Sequence, residues 1–250
     1  MSGGEIALVA LAGLACGAVN AVAGGGSLIL FPALIATGMG TLAANVTNSV
    51  ATWPGYLGGA YGFREELGSQ RHRLPPLVVA TLAGSTTGCV LLLVTPSGAF
   101  DAIVPVLVAA ASLLLAVQPI VARRAGEPTD GSRVHQRAQV VSIFLATIYG
   151  GYFGGALGVI VLGVLSLTVP ETLRRLNGLK NGLSVVDASV SVVVFGLFGP
   201  VQWVAVAVAA PATLVGGYLG ARMARRINDR VLRWCVVVFG LGVATYLAVR

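Results

Sequence analysis

Charge is scarce in this chain. Asp, Glu, Lys and Arg make up 10% of its 250 residues while 56% are hydrophobic, against roughly 25% charged residues in an ordinary soluble domain. That balance excludes a water-soluble globular fold. Histidine is scarcer still. His72 and His135 both fall in polar stretches, so no imidazole lies in an apolar segment to activate a serine. No Gly-x-Ser-x-Gly elbow occurs either, which argues against an intramembrane hydrolase. No glycine run ends in Gly-Lys-Ser/Thr, which removes a P-loop ATPase. The three cysteines, Cys16, Cys89 and Cys235, lie in apolar stretches without CxxC spacing and read as small packing residues. With no cluster of metal-ligand types, no metal, no cofactor and no enzymatic activity are expected.

What the chain has instead is long apolar runs. They cover about Ile6–Gly38, Leu42–Phe63, Leu74–Thr95, Phe100–Ala122, Gln139–Val169, Leu173–Phe198, Val201–Ala221 and Val231–Val249. Mean hydropathy is +0.88. Apolar runs of about 20 residues are the length of a membrane-spanning helix. These runs are continuous rather than alternating, so the expected class is an all-α polytopic membrane protein and not a barrel. Ala21-Val22-Ala23 looks like a peptidase site, but the only charged side chain before Arg64 is Glu5. A signal peptide wants a positive n-region, so this segment is expected to be mature structure. The net charge of +7 reflects arginines in short loops. In a membrane protein that marks cytoplasmic loops facing anionic lipid rather than a nucleic-acid partner.

The chain reads as two halves: residues 1–122, a cytoplasmic linker at 123–138, and residues 139–250. A shift of about 132 positions superimposes Gly26 on Gly158, Asn45 on Asn177, Phe63 on Phe195, Gly84 on Gly216 and Gly88 on Gly220. Loop charge gives direction. Arg64, Arg71 and Arg73 put their loop inside, while its counterpart Gly199-Pro200 is uncharged and falls outside. Thr95–Asp101 has no basic residue, whereas its partner region carries Arg222, Arg225, Arg226 and Arg230. Equivalent loops on opposite sides predict inverted repeats, with Met1 and Arg250 both outside. The linker arginines Arg123, Arg124, Arg133 and Arg137 start Gln139–Val169 on the inside. Leu173–Phe198 also starts inside, so Gln139–Val169 must enter and return. The first such segment, Ile6–Gly38, is about 33 residues, or roughly 50 Å as one helix, against a hydrocarbon core of roughly 30 Å. A break at Gly24-Gly25-Gly26-Ser27 resolves the mismatch, and Gly150–Gly158 is its counterpart. Each half is therefore expected to hold a broken-helix hairpin plus three spanning helices.

Interrupted helices at matching places in two halves mark the substrate site of secondary transporters. Polar residues just after each break extend that expectation, because polar groups in spanning helices are expensive and default to function. After the first break come Asn45, Thr47, Asn48, Ser49 and Thr52; after the second come Asn177, Lys180, Asn181, Ser184 and Asp187. Asn177, Asn181 and Ser184 share a helical face. The expected substrate-binding set is Gly24, Gly25, Gly26, Ser27, Asn45, Asn48, Thr52, Gly154, Gly155, Asn177, Lys180, Asn181 and Ser184. Lys180 among amides and hydroxyls suits an anion, with half-helix N-termini adding N–H donors; the alternative is a lysine snorkelling beside Arg174 and Arg175. Asp187 is either a coupling carboxylate or a structural hydrogen-bond acceptor. Trp53 is placed as a wall of the site, and Trp203 and Trp234 as interface anchors.

The stretches "NAVAGGGSLILFPALIATGM" and "ANVTNSVATWPGYLGGAYGFR" resemble the sulfite exporter TauE/SafE family, and "RRLNGLKNGLSVVDASVSVVVFGLFGPVQW" and "LVGGYLGARMARRI" resemble its second repeat. The resemblance implies a prokaryotic inner-membrane exporter of small sulfur-containing oxyanions such as sulfite or organosulfonates. It carries over Gly24–Ser27, Asn45, Thr47, Asn48, Asn177, Lys180 and Asn181. Asp187 departs from the neutral amide the family leads one to expect. The partners expected are a small anionic substrate and the lipid bilayer, with a homo-oligomer left open. The competing functions are a non-transporting membrane scaffold and an anion channel.

Overall fold

The computed structural model describes residues 1–124, 133–223 and 229–249; the side chains of 118–124, 133–135, 229–233 and 249 are outside that description. Among the described residues the protein is helical throughout, with no strand. The order is α1 (Gly3–Val22), α2 (Ser27–Ala36), α3 (Thr41–Gly62), α4 (Arg64–Gly68), a 3-10 turn (Arg71–Arg73), α5 (Leu74–Val94) and α6 (Ser97–Arg124), then α7 (Arg133–Tyr152), α8 (Leu157–Thr168), α9 (Leu173–Phe198), α10 (Trp203–Met223) and α11 (Asp229–Val249). Each apolar run became a helix, and each of the two long runs broke at its glycines. The loop Arg64–Arg73 departs from expectation by holding a short helix and a turn. Parts of the charge argument rested on Arg123, Arg124, Arg133, Arg225, Arg226 and Arg230, whose side chains lie outside the described residues.

Among the described residues, five helices are long and apolar enough to cross a membrane: Gly3–Val22, Arg71–Val94, Ser97–Val117, Leu173–Phe198 and Trp203–Met223. The burial pattern agrees with a lipid solvent. Leu11, Val79, Val106 and Val238 point outward, each about two-thirds exposed, whereas Asn45, Asn48, Thr81, Ser85, Lys180, Asn181, Asp187 and Thr213 are buried. Apolar side chains outside and polar ones within is the arrangement a bilayer demands. Trp203 and Trp234 are exposed near the starts of their helices.

Glycines set how closely the helices approach. A Cβ at Gly84 would sit 2.4 Å from Phe144 O, and one at Gly88 would sit 2.1 Å from Ile148 O. Helices α5 and α7 therefore touch backbone to backbone and run in the same direction. The same holds for α1 and α10, where Gly17 meets Thr213 O and Gly220 meets Ala18. These are small-residue seams, the device that brings membrane helices together where lipid offers no hydrophobic drive. Gly55 on Thr213 and Gly62 on Ala221 align α3 with α10. Ser85 on Asp187 and Cys89 on Ser191 align α5 with α9. Helices α3 and α9 run oppositely: Gly59 meets Asn181, Trp53 Nε1 donates to Ser189 Oγ at 2.9 Å, and Gly199 meets Val46. Two groups result, α1, α3 and α10 pointing one way and α5, α7 and α9 the other.

Polar contacts gather at the two ends. At one, Arg174 pairs with Glu66, Arg73 with Glu171 at 3.9 Å, and Gln70 Nε2 donates to Arg175 O at 2.8 Å. These tie the α3–α5 loop to the start of α9. At the other, Thr41 donates to Asp101, and Gln202 N donates to Thr47 Oγ1 at 3.0 Å.

Candidate functional site

Both long runs end their first helix in the same way. At the end of α1, Val19 O accepts from Ala23 N at 2.7 Å and from Gly24 N at 2.9 Å. Chain reversal here needs a left-handed residue, and Gly24 supplies it with φ +88°. At the end of α7, Tyr149 O accepts from Phe153 N at 2.9 Å and Gly154 N at 3.3 Å, and Gly154 has φ +72°. The two breaks meet. A Cβ at Gly24 would lie 2.5 Å from the Gly158 carbonyl carbon, so only glycine permits this contact.

A helix end leaves carbonyls that need donors. For α1 these come from α9: Lys180 Nζ donates to Asn20 O at 2.8 Å and Ala21 O at 3.0 Å, and Asn181 Nδ2 donates to Ala21 O at 3.2 Å. Lys180 is fully buried, so it does not snorkel. Its ammonium lies at the negative end of the α1 dipole, where a cation is favoured. Asn20 Oδ1 closes the break by accepting from Gly26 N at 2.7 Å. For α7, Asn45 Nδ2 donates to Tyr152 O at 3.1 Å.

Beside the second break is a small polar cavity with about 10 Å³ of free volume, space for about one water. Its polar wall is Ser27 of α2, Asn48, Ser49, Thr52 and Tyr56 of α3, and Asp187 and Ser191 of α9; Gly150, Gly154, Leu157 and Ala188 complete it. Asp187 is buried and accepts from Ser85 of α5. Ser49 donates to Asn45 O at 3.0 Å and Thr52 to Ser49 O at 3.1 Å. Asn48 Oδ1 is buried without a partner.

The structure gathers Ser27, Asn48, Thr52, Gly154 and Asp187 from the expected set around this cavity. It sets Lys180 and Asn181 under the end of α1 instead, with Asn177 one turn away, its carbonyl accepting from Asn181 Nδ2 at 2.8 Å. Gly24 lies at the contact of the two breaks, Gly25 packs on Leu115, Gly26 on Cys16, and Gly155 on the Phe153 ring. Asn45 holds Tyr152 O, and the buried Ser184 hydroxyl has no partner. Trp53 ties α3 to α9 through Ser189 and does not wall the cavity. Sequence reasoning missed Tyr56, Ser85 and Ser191. Ser191 lies one turn beyond Asp187, which helical spacing could have exposed; Ser85 reaches Asp187 from another helix, which it could not.

The sulfite exporter TauE/SafE family model matches residues 9–247. The chain belongs to that family. A Haemophilus influenzae protein named "Probable membrane transporter protein" is 25% identical over 239 residues, covering 93% of this chain and 90% of its own. The Sinorhizobium "Probable membrane transporter protein ORF9" is 24% identical, covering 97% and 92%. The Escherichia coli "Probable membrane transporter protein YfcA" is 25% identical, covering 89% and 81%. No solved structure matches. This TauE/SafE chain is accordingly a membrane transporter and not an enzyme.

Proposed function

We propose that this TauE/SafE chain is a secondary transporter, working as an exporter, of small sulfur-containing oxyanions such as sulfite or organosulfonates in a prokaryotic inner membrane. It would use alternating access between two inverted repeats, residues 1–122 and 139–250, joined by a cytoplasmic linker at 123–138. The observation that carries the mechanism is the contact of Gly24 with Gly158 beside a polar cavity. Helices at matching places in the two halves point in opposite directions, as α3 and α9 do, which supports inversion; in this reading both termini lie outside. The Gly24–Gly158 contact is backbone against backbone, and it is there that the two breaks would part during alternating access.

At about 10 Å³ the cavity is too small for an oxyanion, so this conformation is a closed one. Opening would part the two breaks and present the first N–H groups of α2 and α8, where a helix start favours an anion. Lys180, Asn181 and Asn177 lie at the end of α1, and parting the halves would bring their donors toward the same space. Counterflow in proteoliposomes with sulfite, thiosulfate, a sulfonate and a small carboxylate tests this. Saturable exchange of the sulfur oxyanions is the expected result. Exchange of the carboxylate alone would overturn the substrate class, and no exchange of any of the four would overturn transport of these anions.

A further inference from the structure

The ends of α1 and α7 turn through the same pair of backbone bonds. In each, one carbonyl, Val19 O or Tyr149 O, takes both N–H groups of the turn. That frees the next two carbonyls, Asn20 and Ala21 in α1 and their counterparts Gly150 and Gly151 in α7. The α1 pair is capped by the Lys180 ammonium and the Asn181 amide. The α7 pair receives no hydrogen bond among the described residues. The repeat shift aligns Lys180 with Asn48 and Asn181 with Ser49. Both substitutes are shorter, and the space they leave is the cavity beside Gly150. One helix end has a built-in positive charge; the other has a hole where that charge would be.

On the α3 and Asp187 side the wall of the hole is made of acceptors, and the hydroxyls of Ser27, Tyr56 and Ser191 complete it. The hydroxyl protons of Ser49 and Thr52 are engaged by backbone carbonyls, so their lone pairs are left for the cavity. Asn48 Oδ1, 1% exposed, has no partner among the described residues. Asp187 contributes a carboxylate whose one bonded donor among the described residues is Ser85. The negative end of the α7 dipole adds to them. In this closed conformation, before the N–H groups of α2 and α8 are presented, such groups favour a dehydrated cation over an anion. Mg²⁺ keeps several waters and Ca²⁺ takes six to eight oxygens, often from several carboxylates, and a space for about one water with one carboxylate suits neither. Softer metals need His or Cys ligands, and no group of three His, Cys, Asp or Glu occurs among the described residues.

We propose that this cavity binds one dehydrated alkali cation, sodium in the first instance, through Asp187, Asn48 Oδ1, the Ser49 and Thr52 oxygens and the carbonyl of Gly150 in α7. The cation takes the place that the Lys180 ammonium occupies in the other half. Its role as a coupling ion rests on the transport function proposed above; its binding does not. Occupancy joins α3, α7 and α9 at the second break, and release lets them part.

The test is the melting midpoint of the purified full-length protein, read by tryptophan fluorescence at fixed pH and ionic strength, as sodium chloride replaces choline chloride. A saturable rise of about 2–8 °C is expected. Lithium and potassium, run the same way, give the size preference. Asp187→Asn, Asn48→Ala and Thr52→Val should each flatten the titration, and Thr86→Val on the exposed side of α5 should not. If Asp187→Asn fails to fold, the other two variants decide. Identical midpoints in all three alkali salts and choline would overturn the site. So would a full sodium response in both Asn48→Ala and Thr52→Val, or a midpoint that follows pH through Asp187 and ignores the salts. A sodium response without anion exchange in liposomes would leave the site standing and sink the transport function instead.

Discussion

Lys180→Met separates a structural cap from a substrate ligand. Among the described residues the ammonium is the sole donor to Asn20 O, while Ala21 O keeps Asn181. Removing it orphans one buried carbonyl, at about 1–3 kcal/mol, and deletes two charge-assisted bonds that contribute about 1.5–3 kcal/mol each. It also removes a favourable charge from the α1 C-terminus, about 0.3–2 kcal/mol. Against these stands relief from keeping an ion out of water, several kcal/mol. The net expectation is a loss of about 2–4 kcal/mol, or on the order of 10 °C in melting midpoint for a chain of this size. Lys180→Gln, which keeps a shorter donor, should lose about half as much. The assay is thermal unfolding in detergent, run beside anion counterflow. A cap predicts that both stability and exchange fall. If Lys180→Met melted within about 1 °C of the parent yet lost exchange, the capping argument would be refuted and Lys180 would be a direct substrate ligand.

Two further comparisons probe the packing. Gly24 and Gly38 have nearly the same left-handed backbone, φ +88° and +87°, but a Cβ at Gly38 meets nothing within 4 Å. Gly38→Ala should therefore cost only the conformational strain, about 1–2 kcal/mol. Gly24→Ala adds a collision with the Gly158 backbone and should cost about 2–5 kcal/mol, with exchange lost; equal melting of the two variants would show that the breaks do not touch. Trp53→Phe removes the bond to Ser189 and should lower stability by about 1 kcal/mol while leaving the sodium titration in place, and a flattened titration would put Trp53 in the cavity wall after all.

Several features were legible before any fold was in hand. Leu173–Phe198 was read with the bounds it has as α9, because an apolar run between polar punctuation contains its own limits. The breaks at Gly24–Gly26 and Gly154 were equally legible, since about 33 apolar residues cannot cross as one helix and consecutive glycines are the weakest point in it. The role of Lys180 was not. Its carbonyl partners lie about 160 positions away, and nothing in the local pattern distinguishes a cap from a ligand. The Ser85–Asp187 bond, across 102 positions, was hidden for the same reason.

Apolar run length and glycine placement determined that this is a helical membrane protein whose two longest apolar runs each break into a pair of helices, because those properties act over one helix or one turn. Only tertiary packing decided which helix end received the ammonium of Lys180 and which was left facing a cavity of acceptors. Charge and volume balance there among α3, α7 and α9 together, and no single one of those segments contains the answer.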